Sequence, residues 1–291
     1  MSGFDDYLFI RLACAFICGT LLSANGSLIQ VVTQNPLAAP STVGIQGAGL
    51  LLYLLSYGLS FFLGGETLLI AFTLFHFLFL VFFFIWKPSQ ELKFEGLKKI
   101  ILWGLCLNLL VGALFSLLQF VLLNLGVQFP TEIWFGNFSF ADKKSFLFLA
   151  FIFLVHLVLN FKMGSRLRLF VLGKSFSHAY VENEKYLIRS LFLFVFYTTT
   201  LITFFFGYFS FLGLIFPHML RAFSSYRKDI FKEIYFGSLW GGLVFSLMDY
   251  FCYQFPIKGA ELPLGMIMAV FGPLSFLILL LFRSRVIKNV Y

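Results

Sequence analysis

Long uncharged stretches recur along the entire chain and limit what it can fold into. Several of them run for about 20 residues, the length that an α-helix needs to cross the roughly 30 Å hydrocarbon core of a bilayer. Of the 291 residues, 60% are hydrophobic and only 12% are charged. A soluble globule would have to bury all of these stretches and would keep almost no polar surface. The sequence therefore predicts an all-α polytopic membrane protein, with a single transmembrane domain over residues 1–291.

The apolar stretches can be divided into nine membrane spans. The run over residues 190–220 has no charged residue in 31 positions, which is too long for one comfortable crossing and short for two. A break at Gly207 would divide it into two spans. The predicted spans are then 12–33, 43–63, 67–86, 100–127, 145–161, 190–206, 208–220, 234–255 and 263–282.

The distribution of basic residues supports the break at Gly207. Cytoplasmic loops of membrane proteins are enriched in Lys and Arg. Only two crossings within residues 190–220 place the four basic stretches on one side, with 17 basic residues inside and four outside. This topology puts the N-terminus outside and the C-terminus in the cytoplasm. The net charge of +8 then reflects topology and the membrane surface, and it does not imply a nucleic-acid partner.

A turn with two prolines follows the first predicted span. Pro36 and Pro40 cannot continue a helix, and Asn35 is pushed toward an extended conformation by the proline after it. Irregular backbone at membrane depth persists only where it is buried in protein or lines a watery cavity. Gly44 and the small residues after it would let a neighbouring helix approach closely. Two interpretations stay open here, a structural corner and the wall of a cavity.

Few ionisable side chains fall within the predicted spans. Asp249 lies well inside the eighth span, where it could cap a neighbouring helix or bond to Ser or Thr, or alternatively serve a path or gate. Glu261 precedes Pro263 and fits an anion at a helix N-terminus, or a contact for another protein. His218 fits a packed or backbone-bonding histidine better than a proton or ligand site. His76 and His156 are expected to be packed.

No catalytic or metal-binding pattern emerges from the sequence. Gly173, Lys174 and Ser175 match the end of a phosphate-binding loop, but Arg168 stands where that loop needs its first glycine. Cys14 and Cys18 share a helical face without forming a zinc or disulfide pattern, and small apolar packing is expected for them. Hydrolase motifs are also absent from the sequence. We therefore expect no enzyme activity, no metal and no bound cofactor for this chain.

Three separate motifs carry a resemblance to one family. The first contains Gln30, Thr33, Asn35, Pro36, Leu37, Ala38, Pro40 and Gly44. The second, in residues 207–221, contains Gly207, Gly213, Pro217, His218 and Arg221. The third contains Asp249, Glu261, Pro263, Gly265 and Gly272, while Trp134 and Gly136 match the middle of the family pattern. Together they resemble the FecCD-type permease subunits of ABC importers for iron-siderophores, haem and cobalamin, over essentially the whole chain.

The resemblance implies a type II importer permease in a bacterial inner (plasma) membrane. Two permease copies would pack around a two-fold axis and form the path for an iron chelate or cobalamin. Two cytoplasmic ATP-binding cassette subunits would use the ATP, and an extracytoplasmic binding protein would deliver the cargo. Residues expected at the path or in its signature are Gln30, Thr33, Asn35, Pro36, Leu37, Gly44 and Asp249. The alternative is a non-transporting structural or regulatory subunit derived from such a permease.

The cytoplasmic segment 162–189 is expected to receive force from the ATPases. In the family this region presents two short helices to a groove on each ATPase. Leu172 and Gly173 match the start of the first helix, whereas Lys174 and Ser175 replace its usual acidic residues. We expect coupling through these four residues and Phe176, although a solvated linker is the other interpretation.

Docking of the binding protein is altered relative to the family. Of three arginines that usually face its glutamates, only Arg11 is retained, since Leu8 and Tyr253 occupy the other positions. Arg11 and Glu261 are the docking residues that the resemblance suggests here. Either another surface is used or a second, less divergent permease supplies the charges, so a homodimer and a heterodimer both stay open.

The family normally has ten spans with both termini in the cytoplasm. Its arginine element follows a first helix that has no counterpart in this sequence, because Arg11 stands eight residues before Gly19 at the family spacing. The sequence predicts either nine spans with Met1 outside or the body of a longer product.

Overall fold

The computed structural model describes residues 2–63, 68–85, 94–126, 132–171, 184–223, 232–257 and 259–282. These residues form long helices joined by short turns. The helices are α1 (Ser2–Thr33), α2 (Ile45–Leu63), α3 (Leu68–Ile85), α4 (Phe94–Asn124), α5 (Glu132–Phe135), α6 (Lys143–Val171), α7 (Glu184–Phe206), α8 (Leu212–Phe223), α9 (Ser238–Gln254) and α10 (Leu264–Phe282). A π-helical turn at Glu233–Gly237 leads directly into α9. The predicted all-α architecture is confirmed.

Each of the nine predicted spans overlaps one helix, and the seventh overlaps α8, which begins only at Leu212 and is 12 residues long. Several helices extend past the predicted ends into sequence that contains charged residues. Helix α1 already begins at Ser2, α6 continues to Val171, and α7 begins at Glu184. Charged side chains are excluded from hydrocarbon but not from a helix, so a helix can extend past the bilayer core into water. The charge pattern therefore predicted the apolar part of each helix but not the full length of the helix.

Helix α1 lies at the centre of the bundle. It packs against α9, α8, α6 and α7. Its small residues permit these contacts: a Cβ atom built on Gly26 would lie 1.8 Å from the carbonyl oxygen of Gly213 on α8. Such close approach of backbones is the usual basis of helix association in membranes, where no hydrophobic driving force acts between helices.

The outer surface of the bundle is apolar. Within the described residues, four helices meet both the length and the hydropathy of a membrane span, namely parts of α1, α4, α6 and α7, and shorter apolar segments lie in α2, α3 and α10. Large side chains such as Trp103 and Leu109 on α4, Phe151 on α6 and Phe271 on α10 are exposed. This surface is suited to contact with lipid or with another membrane subunit.

The run over residues 190–220 is interrupted at Gly207, as predicted. Helix α7 ends at Phe206, Gly207 has a φ of +88°, and α8 begins only at Leu212. The backbone groups that the break leaves without helical partners form other hydrogen bonds. Tyr208 N donates to Ile133 O at 2.9 Å, and Asn137 N donates to Phe206 O at 2.8 Å. The break is therefore buried against α5, which satisfies the requirement on irregular backbone in a membrane.

Candidate functional site

The proline turn after α1 satisfies its own backbone. The side-chain Oδ1 of Asn35 accepts the N–H of Leu37 at 2.9 Å, and Oγ1 of Thr42 accepts the N–H of Ala39 at 2.8 Å. These are local side-chain turns of the kind that Asn and Thr favour. The described hydrogen bonds match the structural corner, one of the two interpretations of this turn.

The same turn is fixed to helix α4. Asn108 donates through Nδ2 to the carbonyl oxygen of Ser41 at 2.6 Å. Gly44 has a φ of +80°, and a Cβ atom built there would lie 2.6 Å from the Cα of Gly104. Only glycine meets both requirements, because L-residues disfavour positive φ and a side chain would clash. Two glycines thus bring the end of the signature turn onto α4.

An ionic cluster joins α1, α8 and the π-helical turn; we call it the inner cluster, Gln30, Arg221 and Glu233, of which Gln30 and Glu233 are buried and Arg221 is partly exposed. Arg221 donates to Glu233 through Nε at 3.0 Å and through Nη2 at 2.7 Å. The same Nη2 donates to Oε1 of Gln30, and Gln30 donates through Nε2 to the carbonyl oxygen of Gly213 at 3.4 Å. The bidentate guanidinium–carboxylate geometry fixes both side chains. One network therefore connects the first and second sequence motifs.

A second ionic cluster joins α1, α9 and the loop before α10; we call it the outer cluster, and in it Arg11 and Asp249 are buried while Glu261 is partly exposed. Arg11 donates to Asp249 through Nε at 2.7 Å and through Nη2 at 3.0 Å, and to Glu261 through Nη1 at 2.5 Å. Ser139 donates to Glu261 at 2.9 Å, and the guanidinium carbon lies 4.9 Å from the ring centroid of Tyr253. The arginine is thus held by two carboxylates and an aromatic face.

The two clusters lie near opposite ends of α1. At 1.5 Å per residue, Arg11 and Gln30 are about 28 Å apart along the helix. This separation is close to the roughly 30 Å thickness of the hydrocarbon core. Among the described residues, the buried charged side chains therefore lie toward the two ends of the central helix.

The prediction for Asp249 was wrong about its partner. A helix cap or a bond to Ser or Thr was expected, and the structure instead pairs the carboxylate with Arg11 from the other end of the chain. Glu261 precedes the start of α10, yet its carboxylate bonds to Arg11 and Ser139. The docking role of Arg11 stays a prediction, and the structure weighs against it because the side chain has 0% of its surface exposed.

Histidine packing agrees with the sequence-based interpretation. His218 bonds through Nδ1 to the carbonyl oxygen of Leu214, and His156 is buried against the ring of Phe194. His76 is buried as well, but it also makes a bond to a hydroxyl, with Nε2 2.5 Å from Oγ1 of Thr200. Cys14 and Cys18 are fully buried, as small apolar packing requires.

Sequence reasoning missed two polar features. Asn25 donates through Nδ2 to Thr198 at 2.8 Å and to Thr199 at 3.1 Å, which links α1 to α7. Glu233, 6% exposed, is the acidic member of the inner cluster. The run of three threonines in an apolar span could have indicated the contact with Asn25. Nothing local distinguished Glu233, since it follows a basic loop and its burial depends on the π-helical turn.

Of the remaining motif residues, two glycines lie at close helix contacts, and the others lie within helices or at the start of one. A Cβ atom on Gly265 would lie 1.9 Å from the carbonyl oxygen of Phe135, and one on Gly272 would lie 2.9 Å from Cβ of Phe211. Pro217 lies inside α8, and the carbonyl oxygen of Pro263 accepts the N–H of Met266 at the start of α10. Thr33 bonds to the backbone of its own helix.

The predicted coupling residues Leu172, Gly173, Lys174, Ser175 and Phe176 lie outside the described residues. The parts of segment 162–189 that the structure describes are the helical ends of α6 and α7. Within the described part of the chain, no group of three or more His, Cys, Asp or Glu side chains is placed to hold a metal ion.

Comparison with known proteins bears on the family and the fold of the chain. The model of the FecCD transport family matches residues 4–282. The petrobactin import system permease protein YclN of Bacillus subtilis (strain 168) is 26% identical over 275 residues, which cover 94% of this chain and 84% of that protein. A probable iron chelatin transport system permease protein of Helicobacter pylori (strain J99) is 26% identical over 94% of this chain and 81% of its own length. The vitamin B12 import system permease protein BtuC of Photorhabdus laumondii is 25% identical over 94% of this chain and 80% of its own.

A solved structure has the same fold. It is a chain from a metal-chelate type ABC transporter in an inward-facing conformation, with a TM-score of 0.74 and 22% identity over 94% of this chain and 85% of that one. This likeness concerns the fold, while the family model covers nearly every described helix. The chain therefore belongs to the FecCD transport family.

Proposed function

We propose that this chain is the permease subunit of an ATP-driven importer in a bacterial inner membrane, and that its cargo is an iron chelate or cobalamin. One observation carries the proposal, the FecCD match over residues 4–282. The two ionic clusters support it because they connect the family motifs across helices that are distant in sequence.

The transport path would run between this chain and a second permease. Helices α4 and α10 offer apolar faces for that contact, with Leu109 and Leu117 on α4 and Val270 and Phe271 on α10 exposed. Away from the two clusters the buried polar groups are mainly neutral, such as Asn25 and the threonines of α7. A path of neutral side chains suits a conduit, since cargo must be held weakly enough to leave.

Energy for transport would come from separate subunits. The sequence has no complete phosphate-binding loop, so ATP hydrolysis is assigned to two cytoplasmic ATPases that contact segment 162–189. An extracytoplasmic binding protein would deliver the cargo. No cofactor is assigned to the permease itself.

Uptake into proteoliposomes tests the proposal. The chain is purified with its co-expressed ATPase and any second permease, reconstituted, and supplied with its binding protein and labelled ferric siderophore, haem or cobalamin. We expect ATP-dependent accumulation of one of these compounds. A complex with a catalytically inactive ATPase is the control and should give no accumulation.

A non-transporting subunit is the second candidate. It is favoured by the substitution of Leu8 and Tyr253 at the family's arginine positions and by the burial of Arg11. The same proteoliposomes distinguish the two functions. An intact complex that hydrolyses ATP but moves none of the three compounds would support the second candidate against the first.

A further inference from the structure

One buried histidine differs from the others in its hydrogen bonding. His156 lies on α6 with 2% of its surface exposed, and neither of its ring nitrogens has a hydrogen-bond partner among the described residues. His76 and His218 are buried as well, and each bonds to protein atoms. A neutral imidazole has one N–H donor and one nitrogen acceptor. His156 therefore has one donor and one acceptor that the surrounding side chains do not satisfy.

Two buried asparagines have atoms in the same condition. Asn25 on α1 donates through Nδ2 to Thr198 and Thr199 on α7, while its Oδ1 is buried without a partner among the described residues. Asn160 lies one turn after His156 on α6, and its Nδ2 is buried and unpaired in the same way. The three side chains thus present acceptors and donors in one part of the bundle, as the packing of α1, α6 and α7 shows.

The register of α1 and α6 brings Asn25 and His156 to the same level. The side chains of Cys14 and Ser145 are in contact near the start of the two helices. The turn after α1 bonds to the last part of α6, so the helices run in the same direction. Asn25 follows Cys14 by 11 residues and His156 follows Ser145 by 11, which is about three turns along each helix.

The faces that carry these two residues are opposed. Each helix has a buried stripe in which members follow one another by four, three and four residues, the spacing of helices that pack side by side. The members, all of them buried, are Cys14, Cys18, Leu21 and Asn25 on α1, and Ser145, Leu149, Ile152 and His156 on α6.

Helix α7 forms the third side of the same site. The ring of Phe194 stacks on His156, with the ring centroids 5.1 Å apart. Thr198 lies one turn later on the same face of α7, and its Oγ1 accepts the Nδ2 hydrogen bond of Asn25 at 2.8 Å. Neighbouring turns of α7 therefore contact both side chains, which places their unpaired atoms between three helices.

The chemistry of the site favours a small neutral molecule. Its described polar side chains are amides, hydroxyls and one imidazole, with no carboxylate, lysine or arginine among them. An ion held there without a counter-charge would be costly inside the membrane. A water molecule both donates and accepts hydrogen bonds, and buried waters typically make about three bonds to otherwise unpaired polar groups. Water therefore matches a site that has unpaired donors and acceptors together.

We propose that α1, α6 and α7 enclose a binding site for water, in which bound water bridges Oδ1 of Asn25 to the ring of His156. Nδ2 of Asn160 supplies a further donor to the same site. The site lies between the inner and outer clusters, and it joins α6 to α1 where the preceding contacts of the two stripes are apolar.

Radiolytic labelling of the solubilised complex in H₂¹⁸O tests for this water. Radicals formed from bound water oxidise adjacent side chains that bulk water does not reach. His76 is the matched control, because it is buried and both of its ring nitrogens lie within 3.3 Å of protein oxygens. We expect at least about fivefold more ¹⁸O at His156 than at His76 in the wild type. Asn25→Leu should remove this excess, whereas Asn124→Leu, at an exposed position of α4, should retain it.

A double-variant comparison tests the bridge between the helices. Asn25→Leu and His156→Phe each leave the other group without its bridged partner, so the double variant should lose less than the two single variants together. We expect its melting temperature to lie at least about 2 °C above the additive value. Asn25→Leu with His218→Phe should be additive, since His218 bonds to its own helix.

Two results would overturn the proposal. Equal labelling of His156 and His76 in the wild type would show that no water is bound beside His156, and this measurement needs no variant to fold. Additive melting shifts for Asn25→Leu and His156→Phe would show that the two side chains share no site.

Discussion

Arg11 and Asp249 are 238 positions apart in the sequence and form a buried ion pair, with Nε of Arg11 2.7 Å from Oδ2 of Asp249. The pair joins the central helix to α9, and Glu261 connects it to the start of α10. Buried charges are tolerated only when they are paired and hydrogen-bonded. The contact therefore makes the outer end of three helices depend on one side chain.

Removal of that arginine should strongly destabilise the fold. Arg11→Met leaves the carboxylates of Asp249 and Glu261 close together without the cation, and we expect a loss of about 3–5 kcal/mol. Asp249→Asn should cost less, because Glu261 still pairs with the arginine. Thermal melting of the detergent-solubilised protein measures both. Asp6→Asn, at an exposed position of the same helix, is the control, and a similar melting temperature for Arg11→Met and this control would contradict the prediction.

Substitution of Gly26 should disrupt the contact of α1 with α8. The new Cβ atom in Gly26→Ala would lie 1.8 Å from the carbonyl oxygen of Gly213, so the helices must separate. Gly58→Ala on α2 is the matched control, because no atom lies within 4 Å of its Cβ position. This control should be neutral or stabilising by about 0.5–1 kcal/mol, since alanine favours a helix. Size-exclusion profiles should show aggregation for Gly26→Ala alone; equal profiles would count against the contact.

The turn at Gly207 should depend on both its backbone angle and its surroundings. Gly207 has a φ of +88°, and a Cβ atom there would lie 2.4 Å from the carbonyl oxygen of Ile133. Gly126 has a φ of +71° with no atom near its Cβ position. Gly126→Ala should therefore cost only the strain of about 1–2 kcal/mol, whereas Gly207→Ala adds a clash with α5. Comparison of their melting temperatures separates the two effects, and an equal loss would mean that backbone strain alone governs the turn.

Gln30 and Arg221 should be energetically coupled. They share a hydrogen bond across α1 and α8, so the double variant Gln30→Leu/Arg221→Met should deviate from additivity by about 0.5–3 kcal/mol. Asn25 bonds to Thr198 on α7 instead, and Asn25→Ala combined with Arg221→Met should be additive within about 0.5 kcal/mol. Unfolding in detergent with increasing dodecyl sulfate supplies these energies. Additive behaviour of the first pair would show that the inner cluster does not form in the folded protein.

Coupling to the ATPase should depend on apolar residues of segment 162–189. Leu172→Asp or Phe176→Asp places a charge in the expected contact, and we expect recovery of co-purified ATPase to fall by about tenfold. Gln254→Asp adds the same charge at an exposed position on the predicted outer side and should leave recovery unchanged. Quantified gel bands of tagged complexes measure the effect. Normal recovery with both segment variants would exclude this segment as the docking site.

The sequence alone determined the class of protein and the approximate positions of its nine apolar segments. Span length, proline turns and the glycine break at Gly207 are local properties, because hydrocarbon thickness and backbone sterics act on each stretch independently of the rest of the chain. The motifs around Asn35, Pro217 and Gly265 are also local in the sequence, and they indicated the family.

Only the tertiary structure decided which polar side chains meet. Asp249 pairs with Arg11, and Gln30 with Arg221, across separations of 238 and 191 positions. These contacts depend on which faces of α1, α8 and α9 are opposed, and that orientation is set by close packing at glycines such as Gly26 and Gly213. The sequence of an apolar span with weak periodicity does not show which of its sides faces other helices, because lipid and protein neighbours are equally apolar. The partners of the buried charges therefore follow from helix packing and not from local sequence.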